Sequence, residues 1–172
     1  MFWQHLLWGI VAFITVCVVG TFIEYLVHVL MHRRLLNGKI HTIHHKNGLG
    51  QGVWGEFLAY FLPAMPVPIL VTIACYFGSL WSYCIGFWIG YVFICFVCAY
   101  CHQASHEHPE LIFWMPQPQH HVHHRDDMWF HNYGVSSDLW DRLFGTYLKV
   151  EYTTPKKMTQ LRPRDFFQLK WF

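Results

Sequence analysis

Long apolar stretches fill the first two thirds of the chain. Residues 1–32 contain a single Asp, Glu, Lys or Arg side chain, Glu24, and residues 57–106 contain none. About 20 predominantly apolar residues are needed to cross the hydrocarbon core of a bilayer as a helix. The first stretch therefore predicts one membrane-spanning helix over residues 5–31, and the second stretch is long enough for two crossings.

Prolines divide the second apolar stretch. Three of them interrupt its first part: Pro63, Pro66 and Pro68. Because proline disrupts the interior of a helix, we predict a short interfacial helix at 53–62 and a second span at 66–80. A tight turn at 78–82 then leads to a third span at 83–103.

The basic residues indicate how these spans are oriented. All twelve Lys and Arg side chains lie within residues 33–46 or after residue 124. With three spans, both regions fall on one side of the membrane, and the positive-inside rule makes that side the cytoplasm. We expect the N-terminus outside and the C-terminus in the cytoplasm. The basic, aromatic tail at 148–172 is expected on the membrane surface, with a simply solvated tail as the alternative.

The predicted fold class is an all-α integral membrane protein with about three transmembrane helices and a cytoplasmic helical cap that carries the histidine clusters. Residues 1–172 are expected to form a single domain. Only 13% of the residues are charged, whereas soluble domains usually carry about 25%. The net charge of +2 gives no reason to expect a nucleic-acid partner. All six cysteines lie in apolar stretches, where free cysteine behaves as a small hydrophobic residue, so we predict no disulfides.

Histidine is the unusual residue of this chain. Ten of the 14 histidines fall into four short clusters. The clusters are His28 with His32; His41 with His44 and His45; His102 with His106; and His120 with His123 and His124. The topology is derived without using the histidines, yet it places all four clusters on one side and near one depth. We therefore predict that these histidines bind metal.

Ten imidazoles exceed the needs of one ion, since zinc usually takes four protein ligands. Two ions with five or six ligands each can use them all. Imidazole binds iron, zinc, copper and nickel, so the ligand type alone leaves the metal open.

Glu24 is a candidate for a supporting role. It lies one helical turn before His28, and a carboxylate facing a membrane interior is costly and usually functional. We expect it to accept the free N–H of His28, because carboxylates often orient metal-bound imidazoles in this way. The alternative is a simple interfacial carboxylate.

Four further polar residues follow the last spans. His121 can replace His120 as a ligand, and His131 can support a ligand or contact substrate. Asn132 and Asp141 are expected to be structural or to support ligands, and Asp141 can instead pair with Arg142.

The clusters read, in order, HxxxH, HxxHH, HxxxH and HxxHH, and WDRLFGTY follows at Trp140–Tyr147. Over residues 24–147 this pattern resembles the fatty acid hydroxylase/sterol desaturase superfamily of membrane oxidoreductases. The resemblance implies two iron ions bound by the histidines, with zinc able to replace iron in purified protein, and O2 as co-substrate. It implies a non-haem di-iron enzyme that hydroxylates or desaturates a C–H bond of a membrane lipid. A carotenoid hydroxylase is the alternative within this class, although the WDRLFGTY ending is not expected there.

Such an oxidation needs two electrons from outside. The sequence contains no glycine-rich nucleotide-binding loop and no cysteine set suited to an iron–sulfur cluster. A separate electron donor, a ferredoxin or a cytochrome b5-type protein, is therefore expected as a partner beside the lipid substrate. Four aromatic residues near the histidine clusters are expected either to line a substrate pocket or to pack against other side chains of the protein: Tyr100, Trp114, Trp129 and Tyr133.

Two other classes of protein put histidines in a membrane. A metal-ion transporter is expected to place ligands at mid-membrane with a pathway to both sides, whereas here the outer half of each predicted span has no Asp, Glu, Lys or Arg. A metal-binding scaffold without catalysis has little reason to hold ten histidines.

Overall fold

The computed structural model describes residues 2–172, and no strand occurs in that range. The helices are α1 (Phe2–His32), α2 (Gly38–Asn47), α3 (Val53–Ala64), α4 (Pro66–Gly78), α5 (Trp81–Glu107), α6 (Gln119–Arg125) and α7 (Leu139–Phe144). Three short 3-10 turns lie at Pro109–Leu111, Met158–Gln160 and Pro163–Phe167. The predicted all-α class is confirmed.

Two long apolar helices, α1 and α5, pack side by side and run in the same direction. A Cβ atom on Gly86 of α5 would lie 2.0 Å from the carbonyl oxygen of Gly9, and one on Gly90 would lie 3.0 Å from that of Phe13. Towards the other end, the Cys98 Sγ atom lies 3.3 Å from a carboxylate oxygen of Glu24. Glycines spaced four residues apart let two apolar helices approach this closely, and they set the alignment of α1 with α5.

The chain between these parallel helices has to return along the bundle, and α3 with α4 make that return. The start of α3 lies beside the end of α5, because Glu56 contacts His102. The end of the return lies beside the start of α5, where Trp88 Nε1 donates to Thr72 Oγ1 at 2.8 Å. Helices α3 and α4 therefore run the length of α5 in the opposite direction.

The return differs from the predicted interfacial helix at 53–62 and separate span at 66–80. Helix α4 has only 13 residues and ends at Gly78, which at about 1.5 Å per residue is too short for a hydrocarbon core of about 30 Å. Helices α3 and α4 form one bent pair with a 52° change of direction. Pro63 lies in the last turn of α3 and Pro66 begins α4, so the proline rings bend the crossing without separating its halves. The protein has two helices long and apolar enough to cross a membrane, or three crossings if the bent pair counts as one.

The remaining chain covers the end of the bundle where α1 and α5 finish. A buried apolar cluster joins α3, α5 and this cap: Val53, Cys101, Ala104, Leu111, Ile112, Met115, Val135 and Leu169. The tail expected on the membrane surface folds back onto α3, where the N–H groups of Val53 and Trp54 donate to the carbonyls of Lys170 and Trp171 at 2.9 and 3.0 Å. The tail thus satisfies donors at the helix start that no intrahelical carbonyl can reach.

Candidate metal centre

The four histidine clusters meet at one end of the bundle. Two clusters lie on the last turns of α1 and α5, and two lie on the short helices α2 and α6. Spacing of four residues places side chains on the same helix face, so each long helix presents its pair of histidines to the same side. The cap completes the site by laying α2 and α6 across the two helix ends.

Five imidazoles form the first group: His28, His32, His41, His45 and His123, whose candidate ligand atoms all lie within 4.8 Å of one another. His32 is at its centre. The Nε2 atom of His32 lies 2.8 Å from that of His41 and 2.9 Å from that of His123. The Nε2 atom of His45 lies 3.1 Å from that of His32.

Four imidazoles form the second group: His44, His102, His106 and His120, again within 4.8 Å. The Nε2 atoms of His106 and His120 lie 3.2 Å apart. The Nε2 atom of His44 is buried without a hydrogen-bond partner. A buried polar atom of this kind costs free energy unless something binds it.

The donor set fits bound metal ions. A neutral imidazole has one donor and one acceptor nitrogen, so protons cannot satisfy several mutually close Nε2 atoms at once. Imidazole nitrogens bind zinc at about 2.0–2.1 Å, and two ligands at right angles around one ion are then about 3 Å apart. The spacings in the first group match that value, and iron and zinc both accept imidazole ligands.

His124, the tenth predicted ligand, lies between the two groups. Both of its ring nitrogens are buried and lack hydrogen-bond partners. Its ring stacks on His45 with 4.0 Å between centroids, and its centroid lies 4.5 Å from that of His120. It is therefore placed to serve either group.

Burial keeps several of these imidazoles neutral. Burial, reinforced by neighbouring imidazoles, lowers the pKa of His41 to about 2 and that of His44 to about 4. Burial likewise lowers the pKa of His123 to about 3, against an ordinary value near 6.5. Neutral imidazole is the form that binds a metal ion.

Main-chain carbonyls orient two histidines of the first group. The Nδ1 atom of His28 lies 2.5 Å from the carbonyl oxygen of Tyr133, and that of His123 lies 2.7 Å from the carbonyl oxygen of His131. Because a carbonyl only accepts, both imidazoles carry their proton on Nδ1 and present Nε2 to the group. Asn132, between the two carbonyls, is fully buried with a left-handed φ of 59°.

Glu24 supports this loop and does not contact His28 as predicted. Its carboxylate accepts the N–H groups of Val135 at 2.5 Å and Ser136 at 3.1 Å, together with the Ser136 hydroxyl. The predicted pairing is therefore wrong in its partner. The carboxylate acts on His28 through the loop that supplies the Tyr133 carbonyl.

Asp141 holds the other end of the same loop. It accepts the N–H groups of Tyr133 at 2.9 Å and Gly134 at 2.7 Å, and burial raises its pKa. The alternative pairing with Arg142 does not occur, because that guanidinium lies 2.8 Å from Asp138 one turn earlier. Two carboxylates from distant parts of the chain thus clamp four consecutive N–H groups.

The side chains of His121 and His131 lie outside both groups. His121 donates from Nδ1 to the carbonyl of Ser105 at 3.0 Å, and its neighbour His120 occupies the second group instead. The side chain of His131 is exposed, and its contribution is the carbonyl that orients His123. Asn132 is structural: its amide bonds the N–H and the carbonyl of Leu148 at 2.8 and 2.9 Å.

Glu56 is a residue at the site that the sequence did not reveal. It lies in the first turn of α3, is 4% exposed, and places Oε2 3.2 Å from Nδ1 of His102. Its other oxygen accepts the N–H of Gln51 at 2.9 Å. The available signal was a lone carboxylate at the edge of an uncharged stretch, but nothing in the pattern links it to His102.

A cavity of about 460 Å³ reaches the two groups. Histidines of both groups line it: His28, His41, His44, His102 and His120. Most of the remaining wall area is apolar, from Val27, Met31, Ile40, Ile43, Leu49, Ala59 and Val135, and the polar side chains of Glu24, Asn37, Asn47, Gln51 and Glu56 also line it. Tyr60 also lines it, whereas none of the four predicted pocket aromatics does.

Those four aromatics have other contacts. Tyr100 donates to the carbonyl of Phe166 at 3.0 Å, and Trp114 donates to that of Ser136, also at 3.0 Å. The rings of Trp129 and Tyr133 pack against His32, with centroids 4.5 and 5.4 Å from that of the imidazole. Trp129 and Tyr133 thus pack beside a candidate ligand, and none of the four aromatics lines this cavity.

The fold and the site define an all-helical protein with two or three candidate membrane crossings and two histidine groups able to hold metal ions. The family model of fatty acid hydroxylase matches residues 13–146, and the chain belongs to that family. The resemblance seen in the histidine boxes is thereby confirmed. Comparison with curated proteins and with solved structures gave no match.

Proposed function

We propose that the protein is a membrane-bound, non-haem di-iron oxidoreductase that uses O2 to hydroxylate or desaturate a C–H bond of a lipid. One observation carries this proposal: a single, largely apolar cavity is lined by histidines of both metal-capable groups. A C–H bond of an apolar substrate in that cavity is adjacent to both groups at once. Membership of the fatty acid hydroxylase family supports the same class of substrate.

In this proposal the protein holds the metal ions, orients the imidazoles and shields the substrate from water. Two iron ions held by the histidines would supply the O2 chemistry, as redox cofactors generally supply the reactive step. The imidazoles stay neutral, and the carbonyls of Tyr133 and His131 point Nε2 of His28 and His123 into the first group. The apolar wall keeps water away from the bound substrate and sets which carbon lies beside the ligands.

The position of the cavity supports entry from the bilayer. Ile40 and Ile43 of α2 and Ala59 of α3 line the cavity and are also exposed on the surface. Both helices lie at the level where α1 ends, which for a crossing helix is the membrane boundary. We propose that this boundary is the cytoplasmic one, because the exposed basic side chains of Arg33, Arg34 and Lys39 lie beside it.

The same basic surface suits an acidic electron carrier, and complementary charge speeds association of such partners. We propose a separate donor of the ferredoxin or cytochrome b5 type. A purified enzyme that turns over with NAD(P)H alone would contradict this part of the proposal.

The testing experiment has two measurements. The first is metal per chain, by elemental mass spectrometry on detergent-purified protein, with a His123→Ala, His124→Ala double variant as control. The second compares lipid extracts of a host with and without the protein, grown with and without O2. About two iron or zinc ions per chain, reduced in the control, and an O2-dependent new lipid are expected. One ion or none, unchanged in the control, contradicts the dinuclear site, and unchanged lipids in every host tested contradict the oxidation.

A metal-ion transporter is the second candidate. Transport requires ligands along a path between the two faces of the membrane. Both metal-capable groups within residues 2–172 lie at one end of the bundle, which favours the enzyme. Uptake of iron or zinc into vesicles that contain the purified protein would reverse that preference.

A further inference from the structure

The two metal-capable groups differ in what lies behind their imidazoles. In the first group, His28 and His123 face neutral main-chain carbonyls. In the second group, His102 faces the carboxylate of Glu56. Histidines of the first group therefore contact carbonyl dipoles, whereas His102 of the second group contacts a carboxylate.

Contacts to both carboxylate oxygens hold Glu56 in its position. Its two oxygens are divided between His102 Nδ1, 3.2 Å away, and the N–H of Gln51. The backbone before it is fixed as well, because the N–H of Gly52 donates to the buried amide of Gln103 at 2.9 Å. No lysine or arginine among residues 2–172 lies within ion-pair distance of this carboxylate. The charge is thus left to act on the second group.

Among residues 2–172, no other carboxylate lies within ion-pair distance of a histidine of either group. Glu24 and Asp141 are also buried, but both carboxylates accept N–H groups of the loop at 133–136. Asp127 lies on the side of His45, but it is exposed, and water and salt screen an exposed charge. Glu56 is 4% exposed, where the same charge interacts much more strongly.

We propose that Glu56 is a positioning residue that makes the two groups unequal: it fixes His102 with Nδ1 turned away from the metal, and its buried charge makes the second group the tighter metal site. The proposal rests on the dinuclear centre of the proposed function. Carboxylates behind metal-bound imidazoles typically contribute about 10–100-fold in metal affinity. The first group, in which no histidine contacts a carboxylate, should release its ion first.

The test uses the full-length, metal-free protein in detergent, titrated with Co²⁺ and followed by the visible absorption of the bound ion. Wild type is expected to bind about two ions with unequal affinities. Glu56→Gln keeps the shape and the oxygen that accepts from Gln51 but removes the charge, and it should weaken the tighter site at least about tenfold. Glu56→Asp, which keeps the charge, should retain more of that affinity. Asp127→Asn is the matched control and should leave both affinities unchanged.

Double variants assign the affected site. Combined with His106→Ala, which already removes a ligand of the second group, Glu56→Gln should add no further loss. Combined with His45→Ala, it should weaken the remaining site as it does in wild type. Losses that add with His106→Ala but not with His45→Ala would overturn the proposal, as would unchanged Co²⁺ binding in Glu56→Gln.

Two measurements distinguish a failure of this proposal from misfolding of the variant and from a failure of the proposed function. The helical circular dichroism of metal-free Glu56→Gln should match wild type; where the Gln variant fails to fold, the Asp variant, compared with wild type, gives the affinity test. If wild type binds no pair of ions, the proposed function itself fails. If wild type binds two and Glu56→Gln binds both equally well, only the role of Glu56 fails.

Discussion

The imidazole of His28 donates its Nδ1 proton to the main-chain carbonyl of Tyr133, with 2.5 Å between the two atoms. His28 lies on α1 and the carbonyl lies in the cap, so this bond fixes the cap relative to the long helix. The carbonyl can do this only while its loop is held, and Glu24 and Asp141 hold the loop from either side.

We predict that Glu24→Gln destabilises the protein by about 1–3 kcal/mol, the usual cost of leaving buried donors without an acceptor. The amide retains one acceptor oxygen and directs an NH₂ group at N–H donors. The apparent melting temperature in detergent measures the loss. Asp138→Asn, which removes only the exposed pairing with Arg142, should shift it much less, and equal shifts would show that the loop does not depend on Glu24.

Alanine substitution should lower the metal content of the protein at a histidine inside the two groups but not at a histidine outside them. His123→Ala removes a central ligand and should lower metal per chain. His121→Ala and His131→Ala should not, because the first side chain bonds Ser105 and the second is exposed. Elemental mass spectrometry of the three purified variants decides this, and metal loss in His131→Ala would mean that the side chain, not its carbonyl, supports the site.

Much of this arrangement follows from local patterns. Spacing of four residues put His28 with His32 and His102 with His106 on single helix faces, and the end of each apolar stretch fixed their depth. Nine of the ten predicted ligands lie in the two groups, with His124 between them. Ligation itself stays a prediction.

Contacts between distant residues or through main-chain atoms could not be predicted in the same way. The carbonyls of His131 and Tyr133 carry no side-chain signature, so Glu24 was assigned to the nearest histidine. Glu56 meets its histidine only because the bent pair α3–α4 returns along α5. The prolines predicted a break in that return, but a break in sequence does not reveal whether the two halves stay aligned.

Filling the cavity should block oxidation without removing metal. Ala59→Trp places a large ring in the wall of the cavity and should lower product formation at least about tenfold, which corresponds to about 1.4 kcal/mol, at unchanged metal per chain. Leu62→Trp is the control, since Leu62 is exposed on the same helix and does not line the cavity. Normal product formation by Ala59→Trp would place the substrate elsewhere.

The contact between α1 and α5 should not tolerate a single added methyl group. Gly86→Ala gains helix propensity of up to about 1 kcal/mol, yet its Cβ would lie 2.0 Å from the carbonyl oxygen of Gly9. We expect a net loss of about 1–3 kcal/mol, typical of overpacking. Gly78→Ala meets only the Leu80 side chain at 3.3 Å and should be nearly neutral in the same thermal unfolding experiment.

The metal-free protein should lose stability in mild acid. The pKa values of His41, His44 and His123 lie at about 2, 4 and 3 in the folded chain, below the ordinary value near 6.5 that applies once it unfolds. The unfolded state therefore binds protons that the folded state excludes, and stability falls as pH drops through 6.5 towards 4.

Melting temperatures of the metal-free protein at about pH 7.5 and about pH 5.5 test this dependence. His131→Ala should show the same decrease as wild type, because its side chain lies outside both groups. A melting temperature that does not change across this interval would mean that the folded protein takes up as many protons as the unfolded chain, so that these imidazoles keep ordinary pKa values.

Asn132 lies between the two residues whose main-chain carbonyls orient His28 and His123. An alanine scan through the cap would leave the carbonyls of positions 131 and 133 in place and would therefore miss what these carbonyls contribute to the orientation of His123 and His28. Sensitivity would appear instead at Asn132, whose φ of 59° is natural for asparagine and glycine and costly for a β-branched residue. Because both substitutions lose the two hydrogen bonds to Leu148, a greater loss for valine than for glycine at that one position would be the mutational signature of histidines oriented by the backbone.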